Sequence, residues 1–167
     1  MAGPAVQAPA TKVIYTETEI AALAAYVDSL GAGPAIPTEE QISTEGTNLA
    51  LGGELFRTNC SQCHGVSGKG GALSEGRWAP SLMESDAKEI VEAMLTGPQN
   101  MPKFSDQTIT PQEKRDIIRY IQELQAQKDP GGNGLGRLGP VTEGLFLFVV
   151  GMGALVIIAV WIGAKAK

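Results

Sequence analysis

The chain has two cysteines and one histidine in 167 residues. Two cysteines cannot staple a disulfide scaffold, and three thiol and imidazole ligands fall short of the four that a structural zinc site needs. Basic residues are also scarce, with 13 Lys and Arg against 18 Asp and Glu. A nucleic-acid binder needs a basic face for phosphate contacts, so that class is excluded. Charge is missing altogether from residues 144–164. Residues 1–143 hold 18 acidic and 11 basic residues, a net −7, and the last 24 hold only Lys165 and Lys167, +2. The overall −5 therefore describes neither part.

The uncharged run, GLFLFVVGMGALVIIAVWIGA, is 21 residues long. At about 1.5 Å per residue it makes roughly 31 Å of helix, the thickness of a hydrocarbon core. A buried core helix is usually shorter and amphipathic, so residues 144–164 are expected to span a membrane once. Lys165 and Lys167 follow directly and place residues 165–167 in the cytoplasm by the positive-inside rule. The preceding 143 residues then face the extracytoplasmic side. Trp161 suits an interfacial position. Ala159 and Gly163 are four apart, a spacing that admits a neighbouring helix and also arises by chance.

Ahead of the span, residues 129–143 open with DPGGNGLGRLGP, five glycines and two prolines in twelve residues, which reads as a linker. Residues 31–47 form a second breaker-rich stretch. Between them, residues 48–128 offer three helices. One covers about Asn48–Asn59, and another runs from Asp86 to Thr96 with Gly97 as its stop. The third opens T-P-Q-E at Thr110, a capping box with Glu113 and with Pro111 in the first turn. No strand pattern competes, so the expected fold is all-α. Residues 16–30 repeat the third helix: Thr16, Glu19, Leu23, Tyr26, Val27 and Leu30 stand at the same offsets as Thr110, Glu113, Ile117, Tyr120, Ile121 and Leu124. Thirty residues with one helix cannot bury a core. Residues 1–30 are accordingly expected to be the C-terminal remnant of a first domain of the same kind.

The strongest chemical signal is Cys60-Ser61-Gln62-Cys63-His64. Two thiols three apart on one turn can both reach the vinyl groups of one haem, and the next residue offers an imidazole to its iron. A thioredoxin-like pair would want a βαβ setting, and the surroundings are helical. A plain disulfide leaves the adjacent histidine unexplained. With His64 the only histidine, the second axial ligand is sought among the methionines. Met94 falls on an apolar helix face, and Met83 follows Pro80 closely. Met101 lies in Gly97-Pro98-Gln99-Asn100-Met101-Pro102, a proline-stiffened loop that can hold a thioether in place, and is the expected ligand. His/Met ligation raises the potential into the electron-transfer range. A ligating histidine usually donates its other N–H to an oxygen, and the carbonyl of Pro80 is the candidate. Arg77 and Trp78, with Lys69 and Lys103 behind them, are candidate donors to the haem propionates.

The CxxCH motif, the Gly52-x-x-x-Phe56 helix before it, the proline before the second helix and the loop methionine together resemble a class I cytochrome c domain. In that family the first and last helices cross, with the glycine admitting an aromatic such as Tyr120. GGAL (70–73), LTGPQNMPKF (95–104) and the run from GLGRLGP into the membrane are similar to the diheme cytochrome c subunit of actinobacterial cytochrome bcc complexes (quinol–cytochrome c reductases). The resemblance covers nearly the whole chain. It implies haem c held by Cys60, Cys63, His64 and Met101, and a second haem in a preceding tandem domain. It also implies partners in cytochrome b, a Rieske iron–sulfur protein and a cytochrome c oxidase, in a single-pass cell-membrane subunit. Electrons would pass from the Rieske centre through haem c to the oxidase, with no catalytic residues supplied by the chain itself. One CxxCH stands here where the family has two, Met1 falls where the first domain's distal methionine belongs, and the N-terminus has neither the basic region nor the apolar run of a secretory signal. The chain therefore reads as roughly the second half of a longer protein. The competing expectations are a haem enzyme such as a peroxidase, which would leave the sixth position open, and a free-standing membrane-tethered cytochrome c electron shuttle.

Overall fold

The computed structural model describes residues 11–31, 33–127, 131, 134–137 and 140–165. Met1 and Lys167, and parts of the expected linkers, lie outside the described residues. The chain is mostly helical. In order it forms α1 (Glu17–Leu30), α2 (Glu39–Ile42), α3 (Leu49–Asn59), α4 (Ser61–His64), β1 (Gly71–Ala72), β2 (Trp78–Ala79), α5 (Ala87–Thr96), α6 (Pro111–Ala126), α7 (Pro140–Phe146) and α8 (Gly153–Lys165). Among the described residues the helices are accompanied by one antiparallel ribbon of β1 and β2, which pairs Gly71 with Ala79 and Ala72 with Trp78. Strands of two residues are too short to write an alternation into the sequence.

Helix termini follow the side chains that can cap them. Asp86 accepts from the Glu89 amide and starts α5, and Gly97, at φ 62°, stops it. Thr110 and Glu113 form a reciprocal capping box on α6, with Pro111 in its first turn. Asn48 caps α3 by accepting from the amides of Ala50 and Leu51.

The core lies between α3, α5 and α6, where Phe56, Ile90, Val91, Met94, Phe104, Ile117, Ile118, Ile121 and Leu124 are buried. Two adjacent glycines let α3 and α6 approach. A Cβ on Gly52 would stand 2.0 Å from the Asp116 carbonyl oxygen, so this glycine admits the backbone of α6. A Cβ on Gly53 would stand 2.9 Å from Cε2 of Tyr120. Room for the aromatic is thus made by Gly53, and the expectation that Gly52 faces Tyr120 is corrected by one position. Phe56 meets that ring at a centroid distance of 5.3 Å and 46°. Buried Asp116 accepts from the Asn48 amide at 2.8 Å and from Gln112 Nε2 at 3.1 Å, which ties the start of α3 to α6.

Part of the stretch 31–47 is held on the domain. Pro37 is buried, Ile42 packs against the core, and Arg115 Nε and Nη2 donate to the carbonyls of Ser43 and Glu45 at 2.7 and 2.5 Å. At the other end, Thr142–Lys165 is one helix of 24 residues that contains an 18-residue window of mean hydropathy 2.8, none of it buried, and is long and apolar enough to cross a membrane. It contains the expected 144–164. Leu147–Met152 is wound as π-helix within it. Lys165 Nζ lies 4.8 Å from the Trp161 ring centroid.

Candidate functional site

The CxxCH motif is itself a single turn. Cys60 ends α3, its amide donating to the Phe56 carbonyl at 2.8 Å, and also begins α4. His64 closes α4 by donating its amide to the Cys60 carbonyl at 2.9 Å, and Gly65, at φ 74°, turns the chain away. The chain then returns along the β-ribbon. Gly70, at φ 81°, passes so close that a Cβ there would lie 2.4 Å from the Ala79 carbonyl oxygen. That return delivers Pro80 to the histidine: His64 Nδ1 donates to the Pro80 carbonyl at 2.9 Å. A carbonyl can only accept, so the proton sits on Nδ1 and the ring's lone pair on Nε2. His64 is buried, and Cys60 and Cys63 are half-buried.

The second element of the site is the loop after α5. Gly97 is held to glycine, since a Cβ would meet the Met101 carbonyl at 2.8 Å and the Lys103 amide at 2.9 Å. The Met101 amide donates to the Pro98 carbonyl at 3.0 Å, and the Phe104 amide to that of Met94 at 2.8 Å. Both elements line one cleft of about 580 Å³, a size typical of cofactor sites. Cys60, Cys63, His64, Pro80, Arg77, Trp78 and Met101 all line it. Met94 does too, although it is buried in the core; Met83, Lys69 and Lys103 do not. Asn100 also lines the cleft and was not singled out by its sequence position. Its side chain accepts from Arg77 Nη1, while Arg77 Nη2 pairs with Glu75 at 3.2 Å.

Two alternatives for the thiols lose ground. Among the described residues no group of three or more His, Cys, Asp and Glu could hold a metal ion. Burial, and then the neighbouring Cys63, pushes the Cys60 thiol up to about 11. A reactive dithiol needs a depressed value, because the thiolate is the nucleophile.

Residues 47–121 match the family model described as cytochrome C oxidase, cbb3-type, subunit III. This is a cytochrome c domain. The chain is also homologous to subunits named cytochrome bc1 complex cytochrome c subunit. It is 44% identical to that of Mycobacterium tuberculosis over 165 residues, covering 96% of this chain and 59% of the relative. With the Mycobacterium leprae protein it shares 44% over 158 residues, 92% of this chain and 55% of the relative. With that of Corynebacterium efficiens it shares 45% over 166 residues, 91% and 56%. The chain thus spans a little over half the length of the curated relatives it matches. The cytochrome c family implies covalently bound haem c, and this cytochrome c domain fits it: paired thiols on one turn, an imidazole with its Nε2 lone pair free for a metal, a thioether from another element, and an apolar cleft between them.

Proposed function

We propose that the chain is a membrane-anchored c-type cytochrome subunit of a respiratory quinol–cytochrome c reductase. In this reading Cys60 and Cys63 would hold one haem c through thioethers, and His64 Nε2 and Met101 Sδ would be the groups offered to its iron. Residues 48–128 are the haem domain, residues 129–143 a linker, and residues 1–30 the end of a preceding cytochrome c domain carrying a second haem. Haem iron supplies a reversible one-electron couple when bound. The chain's residues do the rest. The Pro80 carbonyl fixes the tautomer and orientation of His64, the α5–α6 loop presents Met101, and the packed α3–α6 core keeps water from the buried side of the cleft.

The carrying observation is that the CxxCH turn and the Met101 loop line the same cleft while His64 is already oriented by Pro80. The electron path would run from a Rieske centre through haem c to a cytochrome c oxidase, with cytochrome b in the same complex. The haem domain is extracytoplasmic and Lys165 cytoplasmic, by the positive-inside rule. The acid excess sits outside the haem domain: residues 48–128 hold 10 acidic and 9 basic side chains, and residues 12–47 hold 6 and 1. Attraction to a basic partner therefore falls mainly to residues 12–47.

The test is spectroscopic. The full chain, matured in membranes, carries haem that organic solvent does not extract, and Cys60→Ser with Cys63→Ser releases it. Ferric protein shows the weak red band of an iron–thioether bond. Met101→Ala abolishes the band and Met94→Ala keeps it; the reverse would transfer the ligand to Met94. Gentle detergent extraction brings down cytochrome b and a Rieske protein; isolation of the chain alone would favour the free-standing shuttle.

A further inference from the structure

The Met101 loop is fastened at its base by backbone bonds to α5, yet its tip is held differently. Gln99 stands at φ 52°, a left-handed conformation that non-glycine residues adopt at a cost. Among the described residues, the only side-chain hydrogen bond between residues 97–103 and the rest of the chain is the one from Arg77 Nη1 to Asn100 Oδ1. Arg77 is itself braced, because Nη2 pairs with Glu75 at 3.2 Å and its amide donates to the Ser74 carbonyl at 3.3 Å. Its neighbour Trp78 is paired in the β-ribbon that also delivers Pro80. One guanidinium thus joins the segment that orients His64 to the loop that carries Met101.

We infer that Arg77 and Asn100 form a latch that positions the Met101 loop over the cleft, so that Arg77 acts on the axial thioether through Asn100 and is committed there rather than to a haem propionate. The inference rests on Met101 being the axial ligand. A planar guanidinium with several fixed donors can serve both Glu75 and Asn100, which a lysine could not do in the same geometry. Because Arg77 and Glu75 are largely exposed, the latch adds little to global stability. Its effect falls on a local opening, the lifting of residues 98–102, which needs far less free energy than unfolding.

The measurement is the rate at which imidazole displaces the thioether from the ferric, haem-loaded full chain, followed by loss of the red band. Asn100→Ala and Arg77→Ala should each raise that rate about fivefold, the size of one charge-assisted bond at a half-exposed site. The double variant should be no faster than either single one, since both remove the same bond. Asn100→Asp, which keeps an acceptor, should hold the wild-type rate. An unchanged rate in Asn100→Ala, or additive effects of the two alanine substitutions, overturns the latch. A wild-type protein without the band overturns Met101 as ligand and the latch with it, whereas a normal band with unresponsive variants overturns the latch alone.

Discussion

Helices α1 and α6 carry nearly the same instructions and meet opposite fates. Each begins with a Thr–Glu capping box, Thr16 with Glu19 and Thr110 with Glu113. Each then sets apolar side chains at the same offsets. In α6 these are buried, with Ile117 1% and Ile121 2% exposed; in α1 the matching Leu23 and Val27 are 51% and 63% exposed. The cap and the stripe are local, and they suffice to specify a helix with an apolar face. What covers that face is not local. For α6 it is α3, admitted by Gly52 and Gly53; among the described residues nothing buries a side chain of α1. The exposed face of α1 supports the proposal, made above, that this helix belongs to another cytochrome c domain.

The largest test of the contrast is truncation at matched positions. Ile117→Ala empties a fully enclosed site and should cost about 2–5 kcal/mol, read as a fall in the denaturant midpoint of the haem domain at unchanged slope. Leu23→Ala should stay within about 0.5 kcal/mol of wild type. Equal costs would mean that α1 is covered by the haem domain after all, and the comparison would fail.

A second test uses a position where the two helices differ in kind. Six residues after the capping threonine, α6 has Asp116 and α1 has Ala22. Asp116 is 1% exposed and receives the Asn48 amide that starts α3. Asp116→Ala makes α6 resemble α1 and leaves that amide without its acceptor, at a cost of about 1–3 kcal/mol. Hydrogen exchange should localise the loss to the first turn of α3. If protection there is unchanged, Asp116 is not what joins α3 to α6.

Such differences mark what a sequence can and cannot display. Caps, the Gly97 stop, the CxxCH turn and the apolar membrane run depend on residues within a few positions of one another, and all could be placed in advance. The choice between Gly52 and Gly53 as the partner of Tyr120 depends on how far α3 is rotated against α6, which neither helix encodes alone. The β-ribbon is two residues per strand. The pairing of Arg77 with Asn100 spans 23 positions through two loops, and a surface arginine near a haem motif suggests a propionate before it suggests an asparagine. Met94 shows a further limit: one helix face serves both core and cleft, so its periodicity could not separate the two duties.

The smallest effect belongs to the caps themselves and should still divide the two helices. Thr110→Ala removes an N-cap from a helix on which the whole domain packs, and should lower domain stability by about 1 kcal/mol. Thr16→Ala should leave the domain's unfolding midpoint where it is and reduce only the helical signal of α1. Acid should repeat the pattern. The Thr110 amide, and then its hydroxyl, hold the Glu113 carboxyl below the ordinary glutamate range; the Thr16 amide and hydroxyl do the same for Glu19. A carboxyl depressed in the folded state adds stability that is complete above the unfolded value of about 4.3 and is lost as pH falls through the lower, folded value. Glu113→Gln should therefore flatten the acid limb of the domain's stability curve, while Glu19→Gln leaves that limb alone and changes only the pH dependence of α1 helicity. A domain curve that responds to Glu19→Gln would show that α1 unfolds together with the haem domain, in which case its exposed stripe cannot be waiting for another partner.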